Sequence, residues 1–218
     1  MATPGQLVEA MAASLGIPVA TVIQYDRQLA ESGLRTKGGR GLSAAAVTPR
    51  DAANLLIAIA ASPLAGPTVK EAVRTCEAYG SLKELERVAV IERFPKFGLP
   101  TLASLPAGHS LREALSVLID AAGKGETFQI PDREGPLTAD FCFVVQFEGP
   151  QPWAEILADG SLGEGKPSQM ARLVYTSVSM AKGLRKRRPA GRGDLHQTRN
   201  ISFATIRALG SLIGRGPK

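Results

Sequence analysis

Two groups of side chains in this 218-residue chain have the types and spacing to hold phosphate. Arg35, Lys37 and Arg40 stand among Gly38, Gly39 and Gly41, and no acid interrupts residues 32–43. Arg185, Lys186, Arg187 and Arg188 are consecutive, and Arg192 follows Pro189 and Gly191. Such cations repel one another in isolation and become favourable beside a polyanion, where condensed counterions are released. Glycine lets the intervening backbone turn tightly and approach closely. A third group, Val19, Ala20, Thr21, Gln24, Arg27 and Gln28, falls in one short segment. Ala20, Gln24 and Arg27 share a face at helical spacing. Amide and guanidinium groups displayed in this way can hydrogen-bond to the edges of bases in a major groove.

A helix over Leu7–Leu15 and a second over 18–31 must position that third group. Gly16 can take the left-handed conformation that reverses the chain, and Ile17 fills the corner. Pro18 suits the first turn of the second helix, where its missing N–H costs nothing. Val22, Tyr25 and Leu29 lie on the opposite face, pointing back at Ala12 and Leu15. Ala12 has to be small because the helices cross closely there. Ala12, Gly16, Ile17, Thr21 and Val22 give a small residue, a glycine four later, an aliphatic next and a Thr–Val pair. In this, the stretch resembles the helix-turn-helix of bacterial and phage transcriptional regulators. Tyr25 departs from the aliphatic residue usual at its position.

The resemblance covers about a tenth of the chain and speaks for one domain. It implies a recognition helix at 18–31 in a DNA major groove. An ordinary helical hairpin would use the same residues. Residues 32–43 look like the small wing of a winged helix-turn-helix, with a flexible basic linker as the alternative. The layout as a whole resembles small regulators of phage or prophage type, including activators of gene-transfer-agent clusters.

Further along, Thr48 caps a helix with Pro49 at its first position, Asp51 in its first turn and Arg50–Ala61 as its body. Leu55, Leu56 and Ile59 form an apolar stripe. Two prolines and a glycine at 62–68 read as a hinge. The expected division is therefore a DNA-binding domain at 1–62, a hinge at 63–68 and an α+β domain at 69–218. Helices are expected at Val69–Tyr79, Ser81–Ile91 and Ser110–Ala122. Strands are expected near 127–130, at Leu137–Glu148 and at Trp153–Leu157. Ala171–Val178 fits a strand or a helix. Ile201–Ile213 reads as a closing helix that Gly210 weakens. The fold class is α+β: a three-helix winged helix-turn-helix, then helices and a small antiparallel sheet with a C-terminal helix.

The net charge is +6, with ten Lys or Arg and one acid between Lys182 and Lys218. A basic loop at 182–199 is expected, for DNA, RNA or an acidic protein surface. Cys76 and Cys142 read as buried free thiols of a reducing compartment, and no zinc spacing occurs. With no leader or membrane-length apolar run in the sequence, the cytoplasm is the expected location. Catalysis finds no candidate. His196-x-x-Arg199 has the spacing of tyrosine recombinases, but no Tyr follows Tyr175. Gly163–Lys166 lacks phosphate-loop spacing, with Pro167 where the hydroxyl belongs. His109, beside Ser110 at a helix start, reads as structural.

The expectation is thus a sequence-specific, double-stranded-DNA-binding regulator and not an enzyme, without cofactor, metal or membrane. It is compatible with a homodimer and with contact to RNA polymerase or another transcription factor. A DNA-recognition subunit of a packaging machine, resembling a small terminase, and a module docking an acidic partner are the alternatives.

Overall fold

The computed structural model describes residues 2–37, 46–63, 68–85, 100–126, 129–130, 137–138, 141–160, 169–177 and 196–214. It is an α+β protein. The helices are α1 (Pro4–Leu15), α2 (Val19–Glu31), α3 (Pro49–Ala60), α4 (Ala72–Gly80), α5 (Pro100–Ala103), α6 (Leu111–Gly123) and α7 (Phe203–Gly214). The strands are β1 (Lys83–Glu84), β2 (Gln129–Ile130), β3 (Leu137–Thr138), β4 (Phe141–Gly149), β5 (Trp153–Gly160), β6 (Gln169–Thr176) and β7 (Gln197–Ser202).

Three helices start on side-chain caps. Thr3, Thr48 and Ser110 each accept from the backbone N–H three residues on, and Gln6, Asp51 and Glu113 reach back to the cap. These reciprocal bonds satisfy donors that a helix start otherwise leaves unpaired. The strands form one antiparallel sheet in the order β1-β6-β5-β4-β7, with β2 and β3 as a separate pair. Register places Val145 opposite Ile156 and Ile201, and Phe147 opposite Ala154, which faces Tyr175. All six are buried in one cluster with residues of the helices. The sheet's other face buries Glu155, which accepts from Trp153 Nε1 at 2.8 Å and Arg172 Nε at 2.9 Å. The long side-chain fork of Arg172 thus neutralises an acid that could not be left alone there.

Helix α3 is the axis of the packing. Every residue from Asp51 to Ala60 is buried, so the stripe expected at Leu55, Leu56 and Ile59 is only part of an apolar circumference. A helix apolar all round belongs in a core, and α3 packs on α2, α4 and α6. Its C-terminus is fixed to the sheet. Arg199 Nη1 donates to Ile59 O at 3.0 Å, and Gln197 Nε2 donates to Ser62 O at 2.9 Å. A cation at a helix C-terminus also suits the dipole. Ser62 Oγ donates to Ala58 O and accepts from the Tyr25 hydroxyl of α2 at 2.7 Å. Helix α1 meanwhile packs on α7. The helices of residues 1–62 therefore share one core with the rest, across the boundary expected at 62. Of the expected hinge, residues 64–67 lie outside the described part.

Other differences follow from long-range pairing. The helix expected over Ser81–Ile91 is replaced at Lys83–Glu84 by an edge strand against Thr176 and Tyr175. Residues 86–91 lie outside the described part. Gln197–Ser202, expected to divide between a basic loop and a helix, is the strand β7 on β4. β5 runs on to Gly160, past the strand end expected at Leu157, and 171–176 is strand rather than helix.

Candidate nucleic-acid interface

The geometry at 12–29 is built from a left-handed turn. Gly16 has φ 66° and closes α1, and Ala12 O accepts from the N–H groups of Gly16 and Ile17. A Cβ would be strained at that φ. Pro18 sits at the cap just before α2, one place earlier than expected, and its carbonyl accepts from Thr21 and Val22. Val22, Tyr25 and Leu29 are buried with Leu7, Met11 and Ala12. That fixes which face of α2 turns outward.

Val19, Ala20, Gln24 and Arg27 are exposed, and Thr21 and Gln28 are half-buried. Arg27 Nε lies 3.1 Å from Glu31 Oε1 in a well-solvated i,i+4 pair, worth only a few tenths of a kcal/mol and easily exchanged for another partner. Lys37 is exposed, with Nζ 3.5 Å from Glu31 O. Arg40, Arg185, Lys186, Arg187, Arg188 and Arg192 lie outside the described residues, as do most of the expected wing and the basic loop up to 195.

Arg35 departs from the expectation of a phosphate contact. Its Nε lies 2.7 Å from Asp26 Oδ1, and its side chain is only 14% exposed. Asp26 falls four residues after Val22 and three before Leu29, so it points inward with them and needs a cation there. Burial pushes the Asp26 carboxyl above its ordinary pKa, Arg35 pulls it back, and Asp51 adds to the rise.

Two further residues hold the chain that leaves α2. Asp51 Oδ1 accepts from Thr36 N at 2.7 Å and from its hydroxyl, while Oδ2 caps α3 through Thr48. Asn54 Nδ2 donates to Leu34 O at 2.6 Å. Residues 34–36 are thus strapped to α3, and Lys37 is the first side chain beyond the strap. Spacing alone places Asp51 in the first turn of α3 and says nothing of its bond to Thr36. Asp26 among Val22, Tyr25 and Leu29 carried a readable signal, an acid on an apolar face. The partners of Asn54 carried none.

His109 is fully buried. Its Nδ1 lies 3.0 Å from Pro106 O and 3.2 Å from Glu84 Oε2, and its Nε2 lies 2.9 Å from the Tyr175 hydroxyl. A carbonyl only accepts, so Nδ1 carries hydrogen, and Nε2 shares a hydrogen bond with the Tyr175 hydroxyl. Burial holds the Tyr175 phenol well above its ordinary pKa. The cluster ties β1 and β6 to the start of α6. Tyr175→Phe should therefore leave Nε2 buried and unpaired, lowering stability by about 1–3 kcal/mol in urea unfolding. An unchanged midpoint would show that the bond contributes nothing net.

Cys76 is buried and free, and burial pushes its thiol up in pKa. Its Sγ lies 3.5 Å from Asn54 O, a packing role rather than a reactive one. The side chain of Cys142 lies outside the described residues. Among the described residues no group of three or more His, Cys, Asp or Glu could hold a metal ion, and no helix is long and apolar enough to cross a membrane.

Compared with known proteins, the chain matches no family model, no curated protein and no solved structure.

Proposed function

We infer that the protein is a sequence-specific DNA-binding regulator that inserts α2 into the major groove. The observation that carries this reading is the split of α2 into a locked face and a free one. Val22, Tyr25 and Leu29 are buried, while Ala20, Gln24 and Arg27 are open to solvent just beyond a left-handed glycine turn. A helix held in this way can enter the groove without rearranging its own core. In this reading α1, α2 and α3 form the helix-turn-helix with its supporting helix, and the basic stretch at 32–43, of which 38–43 lies outside the described residues, is the proposed wing. Lys37 and Arg40 hold phosphate, and Arg185–Arg188 with Arg192 add contact to the backbone without base choice.

Gln24→Ala combined with Arg27→Ala tests it. Both side chains are exposed, so the fold should survive. Each good base contact carries about 1–3 kcal/mol of discrimination. The double variant should lose at least tenfold in affinity for a sequence selected by the wild type, while its binding to bulk DNA at low salt changes little. Fluorescence anisotropy across a salt series measures both. Unchanged affinity for the selected sequence would remove α2 from the reading.

A further inference from the structure

We propose that α2 reads thymine methyl groups, so that the target of this protein centres on A·T pairs packed against Val19 and Ile23. The proposal rests on the DNA-binding reading above and gives that site its base chemistry. Val19 is 44% exposed and Ile23 is 51% exposed; they are the large apolar side chains left open among the described residues. Scattered surface aliphatics are ordinary, but these two stand one helical turn apart on the same outward face. Ala20 lies beside them. All three belong to the N-terminal half of α2, the half that a recognition helix presents to base edges.

The patch is too small to serve as a protein interface. A stable contact covers roughly 800 Å² on each partner, with a buried centre richer in apolar area than its rim. Here two aliphatic side chains and one alanine are bordered by Gln24, Arg27 and Glu31, all polar and exposed. In the major groove the scale is right. Thymine alone among the bases presents a methyl group there, and each methyl covers one aliphatic side chain. Gln24, one residue beyond Ile23, adds the matching polar contact. Its amide can donate to adenine N7 and accept from the adenine N6 amino group at a single A·T pair. Arg27 lies a turn further on and is shared with Glu31. It leaves one position on this face for guanine or phosphate, against two for methyl groups.

The test uses the intact chain. Selection from random duplexes gives the preferred site. Affinity is then measured for that duplex and for one in which deoxyuridine replaces each contacted thymine, removing only the 5-methyl groups. Desolvating one methyl corresponds to about a fourfold change in affinity. The deoxyuridine duplex should bind about fourfold more weakly per contacted methyl. For Val19→Ser and Ile23→Ser the difference between the two duplexes should shrink towards unity, with the unfolding midpoint unchanged. A selected site rich in G·C, or equal affinity for thymine and deoxyuridine duplexes, overturns the proposal while leaving DNA binding in place. Failure to select any sequence overturns both. A dimer in sedimentation that Ile23→Asp dissociates also overturns it, since the patch would then be a self-contact.

Discussion

Gly210→Ala should lower the unfolding midpoint by roughly 6–12 °C, a loss of about 3 kcal/mol for a chain of this size. Helix propensity alone predicts the opposite sign. In an exposed helix interior, alanine is favoured over glycine by about 1 kcal/mol. The difference is the partner helix. A Cβ at Gly210 would lie 2.5 Å from Ile119 O and 2.6 Å from Gly123 N. A Cβ at Gly123 would lie 2.6 Å from Gly210 O. Each of these neighbours is a backbone atom of the facing helix, which cannot rotate away as a side chain can. Helices α6 and α7 therefore touch main chain to main chain along Gly123, Gly210 and Gly214. Helix α7 also packs on α1, so separating α6 from α7 strains the support of α1 as well. Thermal unfolding monitored by circular dichroism decides the matter by sign. A midpoint that rises would mean that the two helices do not approach this closely.

Gly210 also marks a limit of what one sequence can show. Read locally, it is a weak point in a helix. The reason for it is a crossing with a segment about ninety residues earlier, and a glycine alone does not say which helix it touches. The case of α3 is different, because the signal was present. Residues 52–61 contain one polar side chain, Asn54. A stripe of Leu55, Leu56 and Ile59 would leave a polar face, and the sequence offers none. A helix with no polar face needs partners all round, and α3 takes them from α4 and α6 as well as from α2. Capping was legible at Thr48–Asp51, whereas Thr3 and Gln6, with the same spacing, start α1 at Pro4, ahead of the expected Leu7. Edge strands were not. Lys83–Glu84 and Gln197–Ser202 take their state from Thr176, Tyr175 and β4, and nothing in either segment names those partners. In the candidate interface, spacing sorted α2 correctly into inner and outer faces. Composition alone grouped Arg35 with the free cations, because the acid that claims it lies nine residues back.

Arg35 yields the second large effect. Arg35→Met should destabilise the protein by about 2 kcal/mol at neutral pH, since Asp26 is then left nearly buried without its cation. The loss is put below that of a fully buried pair because both side chains keep some contact with water. The pH dependence has a definite sign. A carboxyl whose folded pKa is raised favours folding most when it is protonated, below its unfolded value. That contribution fades as the pH climbs through the folded value. Burial already raises Asp26, and Arg35 is what pulls it back. Without Arg35 the carboxyl rises further, so the deficit of the variant should be largest at neutral pH. It should shrink as the pH falls through the carboxylate range, where Asp26 is neutral in folded and unfolded chains alike. Urea unfolding of both proteins at several pH values measures this, and a deficit independent of pH would disprove the pairing. The salt dependence of DNA binding then separates structure from contact. Removing a cation that neutralises one phosphate reduces the slope of log affinity against log salt by about one. Lys37→Ala should show that change and Arg35→Met should not, because the guanidinium that composition assigned to phosphate is turned towards Asp26.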